Sequence, residues 1–195
     1  MSELRQAGAG TPDRLERLWT PHRMSYIAEP AANNAEVDHG GEPGCPLCAI
    51  PAMDDVAGLV VARGAQVYAV LNLYPYNPGH LMVVPYRHVA DLEDLTTAES
   101  GELMALTRTA LQVIKQVSHP HGFNVGLNLG GVAGGSLAAH LHEHVVPRWG
   151  GDANFITVLG GTKVLPQLLT ETRQLLASAW PPPEHEPGVE CGTQA

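Results

Sequence analysis

The spacing of apolar positions changes period several times along the chain, and each change marks an element. Gly58-Leu59-Val60-Val61-Ala62-Arg63 and Val67-Tyr68-Ala69-Val70-Leu71-Asn72 are short β-prone runs separated by Gly64-Ala65-Gln66, which predicts a hairpin. His80-Leu81-Met82-Val83-Val84-Pro85 predicts another buried strand. It is entered through the turn Tyr76-Asn77-Pro78-Gly79, since Pro and Gly supply the dihedrals a turn requires. Thr97 then opens a helix. From Ala98 to Val117, Leu103, Leu106, Ala110, Leu111, Ile114 and Val117 recur at three and four residues, so they share a helical face that should cover one side of the sheet. Phe123 to Leu129 and His140 to Pro147 predict two further strands, joined by the glycine-rich Gly130-Gly131-Val132-Ala133-Gly134-Gly135-Ser136. A last helix is expected over Leu165–Ala177, with Pro166 in its first turn, where the missing N–H does no harm.

The ends read differently. Asp13-Arg14-Leu15-Glu16-Arg17-Leu18-Trp19 has the spacing of a short helix, but Ala28 to Gly44 and Pro181 to Ala195 carry no apolar period and read as connector and tail. The expected organisation is an N-terminal extension over 1–44, one domain over 45–180 and a tail over 181–195, in a chain of 195 residues with no internal repeat.

Composition narrows the function. Hydrophobic residues make up 44% of the chain, enough for a core. Twenty acidic against eleven basic residues give a net charge of −9, which argues against nucleic acid or an anionic membrane surface as partner. An anionic small molecule would need a locally favourable pocket. No apolar run approaches the ~20 residues that span a bilayer, and the N-terminus has no secretory pattern. Two of the three cysteines form Cys45-Pro46-Leu47-Cys48, which is not a disulfide framework; metal ligands or reduced thiols in a cytoplasmic protein are expected.

The chemistry concentrates in His140-Leu141-His142-Glu143-His144. Alternate side chains of a strand share a face, so the three imidazoles form a row, with Leu141, Glu143 and Val145 pointing the other way. Mutual repulsion keeps at least one imidazole neutral near pH 7, available as a nucleophile toward phosphorus or as a metal ligand. The residues alone leave both uses open, beside a solvated face of no function. Gly134 and Gly135 let backbone amides approach an anion closely, and Ser136 adds a hydroxyl.

With His140-Leu141-His142-Glu143-His144-Val145-Val146 on the page, the chain resembles the histidine-triad (HIT) superfamily. Glu143 departs from the pattern at a position that is normally apolar, which bears on local packing more than on the imidazoles. The resemblance extends to Val70-Leu71-Asn72 and Asn77-Pro78-Gly79-His80-Leu81-Met82-Val83-Val84-Pro85, and runs from about Cys45 to Lys163. It implies an α+β fold, an antiparallel β-sheet with a long central helix and a C-terminal helix, paired as a two-fold homodimer or a tetramer.

By the same resemblance His142 attacks the α-phosphorus and forms a covalent nucleotidyl-histidine, His144 orients the phosphate or assists proton transfer, and Asn72 holds the ribose hydroxyls. Asn72 capping a turn is the plainer alternative. His80 lies in the nucleotide-pocket strands. Gly134, Gly135 and Ser136 cradle phosphate, while Arg148, Trp149 and Lys163 are further candidates for contact with the nucleotide. The diadenosine polyphosphate hydrolases of the superfamily commonly carry glutamine where this chain has Asn128, and Gln-Thr where it has Gly135-Ser136. Shorter groups leave room for inorganic phosphate as second acceptor, with Asn128 at the reacting centre. Together with Leu18-Trp19-Thr20-Pro21-His22-Arg23, this looks like the actinobacterial diadenosine tetraphosphate phosphorylases of the superfamily, for which ATP and ADP are the expected products. A hydrolase using water, a nucleoside phosphoramidase and a non-enzymatic nucleotide-binding module are the alternatives.

HIT proteins with a cysteine pair like Cys45 and Cys48 complete a zinc site with a histidine after the Pro-ended strand and the first triad histidine, which correspond to His88 and His140. The zinc would be structural, with no cofactor required for the chemistry, and two reduced thiols without metal remain the alternative.

Overall fold

The computed structural model describes residues 44–133, 137–153, 159 and 165–182. The helix expected over 13–19, the connector and almost all of the C-terminal tail lie outside the described residues. The fold is α+β: a five-stranded antiparallel sheet in the order β1-β2-β3-β5-β4, with β1 Val60–Arg63, β2 Val67–Leu71, β3 Leu81–Pro85, β4 Gly122–Leu127 and β5 Glu143–Arg148. A short helix, α1 (Pro46–Ala49), precedes the sheet; the long α2 (Thr97–Ser118) joins β3 to β4, and α3 (Leu169–Ala179) ends the described fold.

Strands β2 and β3 are buried at every position because both sheet faces are covered. Val67, Ala69, Leu71, Leu81 and Val83 pack with Leu103, Ala110, Val113 and Ile114 of α2 and Leu176 of α3, forming the larger core. The alternate residues Tyr68, Val70, Met82 and Val84 face the other way and pack with Leu47 of α1. Period two thus serves two cores, and the second face is the one that carries the histidines.

Polar side chains hold α2 against the sheet. Thr96 and Glu99 form a capping box at its N-terminus, where Glu99 also pairs with Arg87 at 2.8 Å and is held down to about 2 by that guanidinium and the Thr96 N–H. Glu102 accepts the backbone N–H groups of Ala65, Gln66 and Val67 at 2.7, 2.5 and 3.1 Å, so the hairpin turn is fastened by a carboxylate from the helix.

The helix face differs from the sequence expectation. Leu103, Ala110 and Ile114 are buried, but Glu99, Thr107 and Val113 join them while Leu106, Leu111 and Val117 are only partly buried. The apolar period had hidden two polar residues on this face, Glu99 in its first turn and Thr107 near its middle. Thr107 is there to meet Glu143: its hydroxyl donates to the Glu143 carboxyl, and burial pushes that carboxyl up from its ordinary value. The last helix also begins later than expected, at Leu169, because Leu168 is extended and Pro166 lies ahead of the helix.

The Thr107–Glu143 contact yields a stability prediction. Thr107→Val leaves a buried carboxyl without its donor and should destabilise the fold by about 1–3 kcal/mol, whereas Thr107→Val with Glu143→Leu should recover most of that loss, because both polar partners are gone. Urea unfolding midpoints of the two variants test this; equal losses would show the bond to be immaterial.

Candidate active site

Strand β5 starts at Glu143, three residues later than the sequence pattern suggested. His140, Leu141 and His142 precede it and hang on the end of β3 and the segment after it: His140 Nε2–H donates to the Pro85 carbonyl at 2.9 Å and the Leu141 N–H to the Val89 carbonyl at 2.6 Å. The single row of three imidazoles is therefore broken. His140 turns toward the cysteines of α1, while His142 and His144 stay together with ring centroids 4.9 Å apart.

Carbonyl acceptors decide which nitrogen of each ring carries its proton, because a carbonyl accepts and never donates. His142 Nδ1 lies 2.8 Å from the His140 carbonyl, so the proton is on Nδ1 and Nε2 presents a lone pair. His80 Nδ1 accepts the Tyr76 N–H at 3.0 Å, leaving its proton on Nε2 to be donated to His144 Nδ1, also at 3.0 Å. His144 therefore keeps its proton on Nε2 as a donor. A ring with a free Nε2 lone pair and a ring with an Nε2–H donor sit side by side, and both assignments follow from neighbours rather than from the triad alone.

Electrostatics keeps His80 and His144 neutral. Burial, followed by the neighbouring His144 and His142, brings His80 down to about 3; burial and then His142 bring His144 down to about 4. His142 is 7% exposed, so its environment excludes most water without closing the site.

The second cluster comprises Cys45, Cys48, His88 and His140, whose candidate ligand atoms all lie within 4.8 Å of one another. Cys45 caps α1 and Cys48 lies in its single turn; the Tyr68 hydroxyl fastens that turn to β2 by donating to the Leu47 carbonyl at 2.6 Å. The Cys45 and Cys48 sulfurs are each 3.4 Å from His140 Nδ1, and the Cys48 sulfur is 3.2 Å from His88 Nδ1. Tetrahedral zinc bonds place neighbouring ligand atoms about 3.6 Å apart, close to these separations. With its Nε2 proton committed to Pro85, His140 offers Nδ1 as a lone pair toward the sulfurs. This donor set fits zinc.

Beside His144 lies a cavity of about 460 Å³ whose lining includes Tyr76, Asn124, Gly126, Asn128 and Arg148. Asn128 and His144 line the same cavity. Other candidates fall elsewhere. Arg148 reaches the cavity wall but is engaged with Asp152 and Asn124. Trp149 lines a different cavity, with Pro78, Ser118 and Gln167. Asn72 uses its Oδ1 to accept the Tyr74 N–H at 2.9 Å, the turn-capping role. Gly134, Gly135, Ser136 and Lys163 lie outside the described residues.

Sequence reasoning missed Tyr76, Asn124, Gly126 and Asp152. Period two backward from Asn128 through Gly126 to Asn124 was the signal for β4, and the opposite charges at 148 and 152 were the signal for the ion pair. Gly126 is paired with His144 in the strand register, and a Cβ added there would meet nothing within 4 Å, so the glycine keeps the space beside His144 open.

Comparison with known proteins places this geometry among relatives. The HIT domain profile matches residues 55–151. The AP-4-A phosphorylase of Mycobacterium tuberculosis (strain ATCC 25618 / H37Rv) is 66% identical over 173 residues, covering 89% of this chain and 88% of that protein. The asymmetrical bis(5'-nucleosyl)-tetraphosphatase of Schizosaccharomyces pombe is 38% identical over 92 residues, covering 44% of this chain and 50% of its own length. Among solved structures, a Zn-bound histidine triad family protein from Mycobacterium smegmatis superposes with a TM-score of 0.57 at 27% identity, covering 72% of this chain and 95% of that one.

The neutral rings predict acid lability. Folding lowers His80 and His144 from an ordinary 6.5 to about 3 and about 4, so between pH 6.5 and 4 the unfolded chain binds more protons than the folded one. Stability from these rings is complete above pH 6.5 and declines as the pH falls. Melting temperatures at pH 7, 5.5 and 4.5 should decrease in that order, with a shallower decrease in His80→Gln; parallel profiles would refute the assignment.

Proposed function

This chain belongs to the HIT domain family, and we propose that it cleaves diadenosine tetraphosphate with inorganic phosphate as second acceptor, releasing ATP and ADP. The observation that carries the reading is the His142 ring, whose Nδ1–H is tied to the His140 carbonyl so that Nε2 holds the lone pair beside the His144 donor. His142 Nε2 attacks the α-phosphorus; the N–P bond forms as the bond to the bridging oxygen breaks, and ATP departs. His144 Nε2–H donates to a phosphate oxygen as charge develops. A phosphate oxygen then attacks the same phosphorus, the N–P bond breaks, ADP leaves and His142 returns to its neutral state.

Phosphate rather than water as acceptor is supported by the extended similarity to a protein named AP-4-A phosphorylase and by the short side chain of Asn128 at the cavity. Gly134, Gly135 and Ser136 complete the phosphate cradle in this reading, with His80 and Asn128 as positioning groups and Asn72, Arg148, Trp149 and Lys163 as candidate contacts to the nucleotides.

Zinc is the metal we assign to Cys45, Cys48, His88 and His140; bound there it would pin α1 and the segment before His142 to the end of β3, and it takes no part in bond making. The catalytic unit is residues 45–180, flanked by the extension 1–44 and the tail 181–195. We place it in the cytoplasm, where reduced thiolates are stable; among the described residues no helix is long and apolar enough to cross a membrane. A two-fold homodimer, or a tetramer of such pairs, is supported by β4 standing at the sheet edge.

Two measurements test the reading. Purified protein incubated with diadenosine tetraphosphate should give ADP and ATP only when phosphate is present, and His142→Ala should lower turnover by roughly three orders of magnitude or more; AMP and ATP in phosphate-free buffer would make water the acceptor. For the metal, the wild-type protein should contain about one zinc per chain by mass spectrometry, and Cys48→Ser should lose it and melt roughly 10 °C lower, as a loss of a few kcal/mol gives in a domain of this size. Full stability without metal would remove zinc from the account.

A further inference from the structure

The cysteine pair is placed to do more than hold a metal. Cys45 caps the single turn of α1, and Cys48 lies three residues along it. That spacing sets the two Cα atoms roughly 5 Å apart, inside the ~4.4–6.8 Å that a disulfide spans. Both sulfurs lie 3.4 Å from one atom, His140 Nδ1, and the ligand atoms of the cluster are all within 4.8 Å of one another. The two sulfurs are therefore within reach of each other. They are also within reach of a reagent: both cysteines are half-buried, and a cavity of about 360 Å³ is lined by the pair together with Tyr86.

His140 carries any change in this pair to the candidate nucleophile. Its ring is anchored on two sides, by Nδ1 toward the sulfurs and by Nε2–H on the Pro85 carbonyl. Its own backbone carbonyl accepts the His142 Nδ1–H at 2.8 Å. One residue thus joins the thiol cluster to the contact that sets the His142 tautomer. If the sulfurs are lost as partners, the His140 ring keeps one of its two anchors, and the carbonyl is held less firmly.

We propose that Cys45 and Cys48 are a thiol–disulfide modification site, oxidised by low-molecular-weight disulfides, that controls the His142 tautomer through His140; the proposal rests on the zinc assignment made above. One cysteine sulfur attacks a sulfur of the reagent, whose S–S bond breaks, leaving a mixed disulfide and one released thiol. The other cysteine sulfur attacks the first; the Cys45–Cys48 bond forms, the mixed bond breaks and a second thiol leaves. The cysteines lose two electrons, the reagent gains them, and two protons from the cysteines or from solvent end on the released thiols. Disulfide sulfurs are no longer thiolates, so the ligand set falls from four groups to His88 and His140 and zinc is not retained. The reduced pair fixes the His142 ring; the oxidised pair releases it.

The test takes the full chain, reduced and loaded with zinc, and titrates it with oxidised glutathione. Zinc release is read with a chromogenic chelator, the linkage by peptide mass after alkylation, and the His142 ring by nitrogen–proton NMR correlation, assigned through the signal missing from His142→Gln. Oxidation should release about one zinc per chain as the Cys45–Cys48 disulfide forms. It should also convert the His142 ring from one tautomer to a mixture and lower phosphorolysis roughly tenfold or more. Dithiothreitol with zinc should reverse all of these changes. Cys191→Ser should respond as the wild-type protein does, whereas Cys48→Ser should show the mixed ring signal before oxidant is added and no further change after it. Zinc retained under oxidant, a disulfide through Cys191 instead, or an unchanged His142 ring after zinc is lost overturns the modification site and leaves the zinc assignment standing. Loss of the far-UV circular dichroism of the fold on oxidation overturns it too, because the effect is then global unfolding. A reduced protein that binds no zinc overturns the zinc assignment and this site together. Zinc and the ring signal are read without turnover, so failure of the proposed reaction is seen separately.

Discussion

The site depends on backbone carbonyls deciding where histidine protons sit. An imidazole is ambiguous by itself, since either nitrogen can donate or accept. The His140 carbonyl takes the Nδ1 proton of His142, the Pro85 carbonyl takes the Nε2 proton of His140, and the Tyr76 N–H forces His80 to present Nε2–H to His144. Three fixed tautomers turn three histidines into a lone pair facing the cysteines, a lone pair on His142 Nε2 and a donor on His144. Burial supports this by holding His80 and His144 far below their ordinary values, so the protons stay where the hydrogen bonds put them.

Such precision requires a rigid frame, and matched polar contacts supply it. Glu99 joins Arg87 to the start of α2, Glu102 fastens the β1–β2 turn to the same helix, and Glu143, between two triad histidines, takes the Thr107 hydroxyl. Each carboxyl is paired, which is the condition under which a partly desolvated acid is tolerated. The long helix is thereby tied to the loop after β3, the first hairpin and β5. The zinc-ready cluster adds a fourth tie at the other end of the same segment, because His140 lies two residues from His142 and shares its backbone.

Arg148 illustrates how a neighbour changes the meaning of a residue. Alone, an arginine four residues from a triad histidine reads as a phosphate ligand. With Asp152 across one edge and Asn124 on its third nitrogen, three of its five N–H donors and much of its charge are answered within the protein.

The sequence by itself determined much of this protein. Apolar period and turn residues located five strands and two of the helices, because burial on a two-faced sheet writes continuous apolar runs and burial under one helix face writes a period near 3.6. The alternation of His140, His142 and His144 marked the candidate reacting segment, and Cys45-Pro46-Leu47-Cys48 marked a candidate metal site beside the reading of two reduced thiols. The tertiary structure decided the rest. It started β5 at Glu143 rather than His140, placed polar Thr107 at the centre of a helix face, and brought Tyr76, Asn124 and Asp152 to one cavity. Each of those outcomes rests on a partner distant in sequence, such as the Val89 carbonyl for Leu141 or Glu143 for Thr107. Periodicity records which residues are buried but not which residue each one meets, and the tautomers, ion pairs and cavity walls that make the site are all set by that meeting.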